Sequence, residues 1–242
     1  MAKELKKFAV FDIDGTLIRW QLYHAVADEL ARRGHFGTIE YQAVKDARMT
    51  WKKREGEESF KAYERALVNL VDQAMIGLAV SDLQSACDKV ISEYKDQVYT
   101  YTRDLIRNLK DEGYLLFTIS ASQSEIVKML ADYYGFDDFG GSEYEVKNGT
   151  FTGNKEVLKS ERKPEYLKLL VEKHGATYED SVGVGDSESD IPMLEAVERP
   201  VAFNPTKLLY DHARENGWKI VVERKNVIYE LQPEDGSYRL VR

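Results

Sequence analysis

Two aspartates, Asp12 and Asp14, stand two residues apart at the end of the apolar run in FAVFDIDGTLI (residues 8–18). Carboxylates at the end of a buried strand cost free energy unless they bind something. An ionised Asp12 could attack an electrophilic phosphorus, and Asp14 could protonate the leaving oxygen and later deprotonate water. An aspartate before Gly-Thr is also a common turn residue or helix cap, so the pair alone does not establish a site.

Further polar residues fall where later apolar runs end or where a helix begins. Ser120 closes YLLFTIS, Lys163 stands at the start of a predicted helix, and Asp186 and Asp190 follow SVGV in GDSESD. Crowded carboxylates repel one another unless a cation lies among them, and oxygen ligands suit Mg²⁺. A lysine and a hydroxyl at the same point could hold phosphate oxygens. A surface lysine, a capping serine and an acidic loop are the plain alternatives, but the full set in this order favours a site for phosphate chemistry.

The elements that must position these residues are short buried strands separated by helices. The apolar runs predict strands at 8–11, 114–119, 181–185, 200–203 and 219–222. Helical periodicity predicts helices at 103–113, 122–135 and 164–175. Strands alternating with helices predict an α/β fold with a parallel sheet and right-handed crossovers. Ligands of such sheets bind beyond the carboxyl ends of the strands, which is where the polar residues fall.

Two local signals refine this outline. Ser122 followed by Glu125 is typical of a capping box at the start of the 122–135 helix, which would leave Ser120 available for another role. The Asn148-Gly149 pair predicts a β-hairpin with a type I′ turn.

Residues 20–98 differ from the rest, because they carry helical periodicity throughout and no convincing strand. The segment is much longer than an ordinary crossover between two strands. We therefore predict a helical domain at 20–98, inserted into a core made of residues 1–19 and 99–242.

Composition excludes several classes of protein. The 242 residues are 43% hydrophobic and carry a formal net charge of −8, from 42 acidic and 34 basic residues. An acidic chain is a poor candidate for binding nucleic acid or an anionic membrane surface. No apolar run is long enough to span a bilayer. The single cysteine, Cys87, fits a reducing compartment, so we expect a cytoplasmic protein; its oligomeric state is left open.

Together these motifs resemble the haloacid dehalogenase-like superfamily, in the branch that contains phosphoserine phosphatase (subfamily IB). DIDGT resembles the first motif of that family, TISAS the second, KPEYLKLL the third and GDSESDIPML the fourth, over residues 8 to about 205. The resemblance implies a Rossmann-like core with a helical cap between strands one and two. It also implies an Mg²⁺-dependent phosphatase that acts on a small phosphorylated metabolite, a phosphate monoester, through an aspartyl-phosphate intermediate.

The resemblance assigns roles to the motif residues. It makes Asp12 the nucleophile and Asp14 the general acid and base. It makes Ser120 a ligand of the transferring phosphoryl group, and Lys163 the group that neutralises its charge and holds the nucleophile.

It also implies a metal site. Mg²⁺ would be held by Asp12, by the backbone carbonyl of Asp14 and by Asp186, with Asp190 supporting the metal shell directly or through water. Gly15 would leave its backbone N–H free to approach phosphate.

The sequence departs from the phosphoserine phosphatase pattern at several positions. Phosphoserine phosphatases carry a Glu nine residues past the nucleophile that binds the substrate ammonium, and Gln21 stands there in this chain. This disfavours phosphoserine as the substrate unless Glu57 or Glu58 replaces that carboxylate. Ala121 and Ser122 replace glycines of the second motif; the Asn usual in the fourth motif is also replaced, by Ser189.

Other functions remain alternatives at this point. Phosphoserine phosphatase proper and a phosphotransferase would use the same intermediate. A dehalogenase would not need the acid Asp14. A receiver-like signalling module also uses an Asp, a hydroxyl and a Lys at strand ends, but it is about half this length. A non-catalytic scaffold would be expected to lose at least one motif residue, and none is missing.

Overall fold

The computed structural model describes residues 5–56, 58–235 and 237–241, and these divide into two compact units. The first unit takes its described residues from Met1–Gln21, Tyr94–Ser142 and Val157–Arg242. The second takes them from Leu22–Glu93 and Glu143–Glu156. The second unit thus contains a later segment that the predicted core of 99–242 had included, and that prediction is wrong there. Residues 20, 21 and 94–98, predicted to belong to the insertion, fall in the first unit.

The sheet contains nine strands among the described residues, in the order β4-β3-β2-β1-β5-β6-β7-β8-β9. The strands are β1 (Lys6–Phe11), β2 (Leu115–Gln123), β3 (Asp138–Lys147), β4 (Thr150–Glu156), β5 (Ala176–Gly185), β6 (Arg199–Phe203), β7 (Lys219–Arg224), β8 (Val227–Glu234) and β9 (Ser237–Leu240). Neighbours from β3 to β7 pair in parallel, while β4, β8 and β9 pair antiparallel. The predicted parallel α/β sheet is confirmed.

Helices occupy the connections between strands other than the short β3–β4, β7–β8 and β8–β9 turns. They are α1 (Leu22–Arg32), α2 (Thr38–Lys52), α3 (Ser59–Met75), α4 (Val80–Tyr94), α5 (Thr100–Asp111), α6 (Ser124–Tyr134), α7 (Lys163–His174), α8 (Ile191–Leu194) and α9 (Lys207–Glu215). None of the described helices is long and apolar enough to cross a membrane.

The carboxyl-terminal parts of the central strands β1 and β5 are buried on both faces, because both faces of the sheet are covered there. In β1, Phe8, Val10 and their neighbours Ala9 and Phe11 are all buried. Phe8 and Val10 belong to a core cluster that the apolar faces of α7, α8 and α9 complete. The register pairs Phe11 with Thr118 of β2 and with Val184 of β5, so these three residues lie side by side near one edge of the sheet, although β2 continues to Gln123. The residues after each of them are therefore brought together.

Two strands were missed by sequence reasoning. β8 and β9 extend the sheet antiparallel beyond β7, and most of their residues are exposed or half-buried. A strand that is exposed on both faces has neither an apolar run nor a clean alternation to mark it.

The second unit consists of α1–α4 and the β3–β4 hairpin from Glu143 onward. The hairpin turns at Asn148 (φ 52°) and Gly149 (φ 80°), as the predicted type I′ turn requires. Its strand β4 pairs with the α3–α4 loop, because Gly77 donates to the Phe151 carbonyl and Phe151 donates to Leu78. An ion pair between Lys155 and Asp72 adds a link to α3. These bonds explain why the hairpin groups with the helices.

Candidate active site

Asp12 directly follows β1 and is almost fully buried, at 6% exposure. Its backbone N–H donates to the Val184 carbonyl of β5 at 3.0 Å, which fixes the chain at this point. Its carboxylate oxygen Oδ1 accepts a hydrogen bond from Lys163 Nζ, also at 3.0 Å. A buried carboxylate with a charged donor on one oxygen can keep its other oxygen directed at an electrophile.

Lys163 is the first residue of α7, and its side chain is 3% exposed. Besides Asp12, its Nζ contacts Asp190 Oδ1 at 2.5 Å. Burial opposes the charge on the amine, but the Asp12 and Asp190 carboxylates outweigh burial and raise the pKa of Lys163 above its ordinary value. The site therefore contains a buried ammonium held between two carboxylates.

Asp190 uses its second oxygen to shape the loop that carries Asp186. Oδ2 accepts the backbone N–H groups of Asp186 and Ser187, each at 3.1 Å. Gly185 makes this possible, because a Cβ there would lie 2.5 Å from the Asp190 Cβ. Sequence reasoning gave Asp190 a part in the metal shell; the geometry adds that it anchors both Lys163 and the Asp186 loop.

Three carboxylates, those of Asp12, Asp186 and Asp190, each offer an oxygen within 4.8 Å of the others. Burial first, and the neighbouring carboxylates second, raise the pKa of Asp12 to about 7 and that of Asp186 to about 9. Such mutual repulsion is what a cation relieves. This cluster of oxygen ligands fits a hard divalent cation such as Mg²⁺.

Gly15 lies against this cluster in a left-handed conformation, with φ +88°. A Cβ on Gly15 would collide with the Asp186 carboxylate, so only glycine leaves that oxygen its place. The Gly15 N–H donates to the Ile18 carbonyl at 3.1 Å. The expectation that this N–H is free to approach phosphate is therefore wrong, because the turn after the aspartates already uses it.

Asp14 is oriented by two serine hydroxyls of β2. Ser120 Oγ donates to Asp14 Oδ2 at 3.1 Å, and Ser122 Oγ donates to the same oxygen at 2.9 Å. The prediction that Ser122 caps a helix is wrong, since the N-cap is Gln123 and α6 begins at Ser124. β2 runs on past Ser120, and alternate residues of a strand share a face. The S-A-S spacing was the signal that could have placed Ser122 beside Ser120.

Gln21 is half-buried and directly precedes α1. Within the described part of the chain it makes no hydrogen bond to the aspartates, serines or lysine of the site. That Gln21 contacts the substrate and helps to select it stays a prediction. Glu57 lies outside the described residues, and Glu58 directly precedes α3.

Comparison with known proteins assigns the family. The family model of haloacid dehalogenase-like hydrolases matches residues 9–195. Phosphoserine phosphatase of Archaeoglobus fulgidus is 28% identical over 210 residues, covering 86% of this chain and 55% of that protein, so the chain spans little more than half of this relative. Histidinol-phosphatase of Neisseria meningitidis is 23% identical over 236 residues, covering 90% of this chain and 99% of that protein.

Solved structures agree on the fold. A Bordetella pertussis protein of unknown function superposes with a TM-score of 0.72 at 23% identity, covering 90% of this chain and 98% of that chain. A phospho-aspartyl intermediate analogue of phosphoserine phosphatase gives a TM-score of 0.61 at 22% identity, covering 91% and 95%. The predicted class of enzyme, a phosphoric monoester hydrolase, is confirmed, and the chain belongs to the haloacid dehalogenase-like hydrolase family.

Proposed function

We propose that this enzyme is an Mg²⁺-dependent phosphatase that hydrolyses a small phosphate monoester through an aspartyl phosphate on Asp12. The observation that carries the proposal is the position of the buried Asp12 carboxylate, 3.0 Å from the Lys163 ammonium and within the cluster of three carboxylates. A carboxylate so placed has its charge partly balanced, and a phosphate arriving beside it meets a fixed positive group.

In the first step, a carboxylate oxygen of Asp12 forms a bond to phosphorus while the bond from phosphorus to the ester oxygen breaks. Lys163 binds the phosphoryl oxygens as the charge moves, and the Ser120 hydroxyl, whose single proton is donated to Asp14 before substrate binds, turns to a phosphoryl oxygen. Asp14, still oriented by Ser122, gives its proton to the departing oxygen, so the alcohol leaves neutral. The products of this step are the free alcohol and the Asp12 acyl phosphate.

In the second step, Asp14 takes a proton from water, and the water oxygen attacks phosphorus. The bond from phosphorus to the Asp12 oxygen breaks, which regenerates the carboxylate and releases inorganic phosphate. Asp12, Asp186 and the backbone carbonyl of Asp14, with support from Asp190, would hold Mg²⁺, which would supply charge neutralisation for the phosphate and the crowded carboxylates.

The metal should stabilise the protein in a pH-dependent way. Because the pKa values of Asp12 and Asp186 are raised to about 7 and about 9, the folded metal-free protein holds protons that the unfolded chain, with carboxyl pKa values of about 4, has lost. The unfolding free energy without metal should therefore fall as the pH rises from about 4 to about 9. Saturating Mg²⁺ should raise the Tm by about 5 °C or more at pH 8 and by less at pH 6.

The variant Asp186→Asn tests this assignment. It should flatten the pH dependence of the metal-free Tm and remove most of the Mg²⁺ shift in a thermal melt. Asp211→Asn, which changes an exposed carboxylate paired with Lys207, is the matched control and should behave as the wild type does. An Mg²⁺ shift of full size in Asp186→Asn would contradict the metal site.

The variant Asp14→Asn should separate the two steps. An aryl phosphate has a good leaving group and needs little protonation, so its first step should survive better than that of an alkyl phosphate. Hydrolysis of the acyl phosphate needs the base, so the variant should accumulate an adduct of roughly 80 Da during turnover of the aryl substrate. Unimpaired turnover with no adduct in an acid-quenched intact-mass spectrum would reject this role for Asp14.

The substrate class rests on Gln21, and we propose that O-phosphoserine is not preferred. A Gln side chain offers a substrate ammonium only a neutral carbonyl as acceptor. The two N–H donors of its amide cannot bind an ammonium, which is itself a donor. Hydrogen bonds to charged groups contribute about 1.5–3 kcal/mol, so the loss should be at least tenfold in kcat/KM. Phosphoserine phosphatase proper is the alternative; relatives named phosphoserine phosphatase and histidinol-phosphatase differ in substrate.

The test of the proposed function is a panel of phosphate monoesters with and without Mg²⁺. Phosphoserine, phosphoglycolate, glycerol phosphate and an aryl phosphate are compared on one preparation, with Asp12→Asn as the blank. We expect Mg²⁺-dependent phosphate release, with an ester lacking an amino group at least equal to phosphoserine. A hundredfold preference for phosphoserine would identify phosphoserine as the substrate, and transfer of the phosphoryl group to an added alcohol would favour a phosphotransferase.

We further propose that the second unit acts as a substrate-selecting cap. We also propose that the enzyme is cytoplasmic, which the free Cys87 supports.

A further inference from the structure

The carboxylate of Glu223 on β7 is also buried and lies outside the motifs, and its side chain is 1% exposed. Both of its carboxylate oxygens accept hydrogen bonds. Oε1 accepts one from the Arg19 guanidinium at 2.6 Å and one from the Thr100 N–H at 3.1 Å. Oε2 accepts from the Tyr101 N–H at 2.8 Å. A charge this deeply buried is stable only with such a set of partners.

Glu223 acts as the cap of α5 from a distant part of the chain. The N-cap residue, Tyr99, makes no side-chain capping bond, so the first N–H groups of α5 need another acceptor. A carboxylate at this end also complements the helix dipole. Arg19 extends the arrangement, because its Nε donates to the Val98 carbonyl at 3.0 Å just before the helix.

The capped turn of α5 holds the loop that carries Asp14. The Thr102 hydroxyl donates to the Thr16 carbonyl at 3.0 Å, and the Tyr99 N–H donates to the Leu17 carbonyl at 3.0 Å. Within the loop, the N–H groups of residues 16–18 all point to the Ile13 carbonyl. Asp14 lies between that carbonyl and the two residues that α5 holds.

The backbone of Glu223 is also joined to the segment beside Asp186. The Glu223 N–H donates to Asn204 Oδ1 at 2.8 Å. Two residues on, the Thr206 N–H donates to the Asp186 carbonyl at 2.8 Å. One residue of β7 thus contacts the supports of both aspartate loops.

We propose that Glu223 is a positioning residue for the reaction, which keeps Asp14 aligned for proton transfer through the first turn of α5. The proposal rests on the proposed function, since it assumes that Asp14 is the general acid. Glu223 itself does not touch the reacting atoms. Its loss should therefore misalign the proton donor without removing any group that binds phosphate.

The test variant is Glu223→Gln, which keeps the side-chain volume and removes the charge opposite Arg19. Rapid-quench measurement gives the first-turnover rate of leaving-group release, in saturating Mg²⁺, for an alkyl and an aryl phosphate. We expect the alkyl rate to fall at least about tenfold, part of the 10²- to 10⁴-fold that a general acid contributes, and the aryl rate to fall less than about threefold. KM should stay within about twofold for both, because phosphate binding is intact.

The matched control is Glu230→Gln on β8, which removes a partly buried partner of Lys219. It should lower the Tm with an unchanged ratio of alkyl to aryl rates, as any purely structural role would. If Glu223→Gln does not fold, the second variant is Arg19→Gln, which removes the cationic partner of the Arg19–Glu223 ion pair. The Arg19 side chain is 41% exposed, so this substitution perturbs the core less. That variant should shift the ratio in the same direction.

An equal fall on both substrates, or an unchanged ratio in whichever of the two variants folds, would overturn the proposal. Failure of the wild type to release either leaving group would instead contradict the proposed function. Hydrogen exchange gives a readout that does not depend on activity. The amides of residues 14–18 should exchange faster in Glu223→Gln than in Glu230→Gln, and equal protection in the two variants would also overturn the proposal.

Discussion

Replacement of Asp12 by Asn is expected to reduce kcat by about 10⁴-fold or more on every phosphate ester, because a neutral amide cannot attack phosphorus. The substitution keeps the shape of the side chain and leaves Lys163 paired with Asp190. Burial and the neighbouring carboxylates already raise the pKa of Asp12, so removing its charge should not destabilise the fold. The measurement is steady-state turnover with the thermal melt recorded on the same sample.

Asp132→Asn serves as the control for Asp12→Asn, since that exposed carboxylate pairs with Lys128 on the surface of α6. It should retain full activity. Activity of Asp12→Asn within tenfold of the wild type, a barrier difference of only about 1.4 kcal/mol, would show that Asp12 is not the nucleophile.

Replacement of Lys163 by Met should damage both stability and catalysis. It removes the ammonium that lies 3.0 Å from Asp12 and 2.5 Å from Asp190, and it leaves two buried carboxylates facing each other. Breaking a buried ion pair by removing one partner typically costs about 3–5 kcal/mol. The unfolding free energy from chemical denaturation should fall by about that amount at pH 8 and by less at pH 5, where the carboxylates can take up protons.

The same variant should lose about 10³-fold in kcat, even when the fraction folded is restored with Mg²⁺ and low temperature, because the charge on the phosphoryl group is no longer balanced. Lys168→Met on the exposed face of α7 is the matched control, and both its stability and its kcat should be close to those of the wild type. Retention of either quantity in Lys163→Met would contradict the arrangement.

The site was predictable because its residues follow strands whose register is set by apolar pattern. Phe11 pairs with both Thr118 and Val184, so Asp12, Ser120 and Asp186 necessarily meet at one edge of the sheet. The apolar runs predicted that these strands exist, whereas their order in the sheet is seen only in the structure.

Other features were not predictable because they depend on where a strand stops. The continuation of β2 to Gln123 turned Ser122 toward Asp14, although the capping-box pattern predicted a helix start there. The hydrogen bond from the Gly15 N–H to the Ile18 carbonyl depends on a turn that glycine permits at φ +88° but does not by itself specify. Glu223 belongs to no motif, and its partners Arg19 and Thr100 come from remote parts of the chain, so no local pattern in the sequence marks it.

The measurement that tests the central claim most directly is the location of the phosphoryl group on the enzyme. Asp14→Asn is mixed with an aryl phosphate and Mg²⁺, quenched in acid and digested, and the phosphorylated peptide is fragmented. We predict a single acid-stable, hydroxylamine-labile phosphoryl group on Asp12, absent when Asp12 is also changed to Asn. A phosphoryl group on Ser120 or on another residue, or turnover without any phosphorylated peptide, would contradict the account.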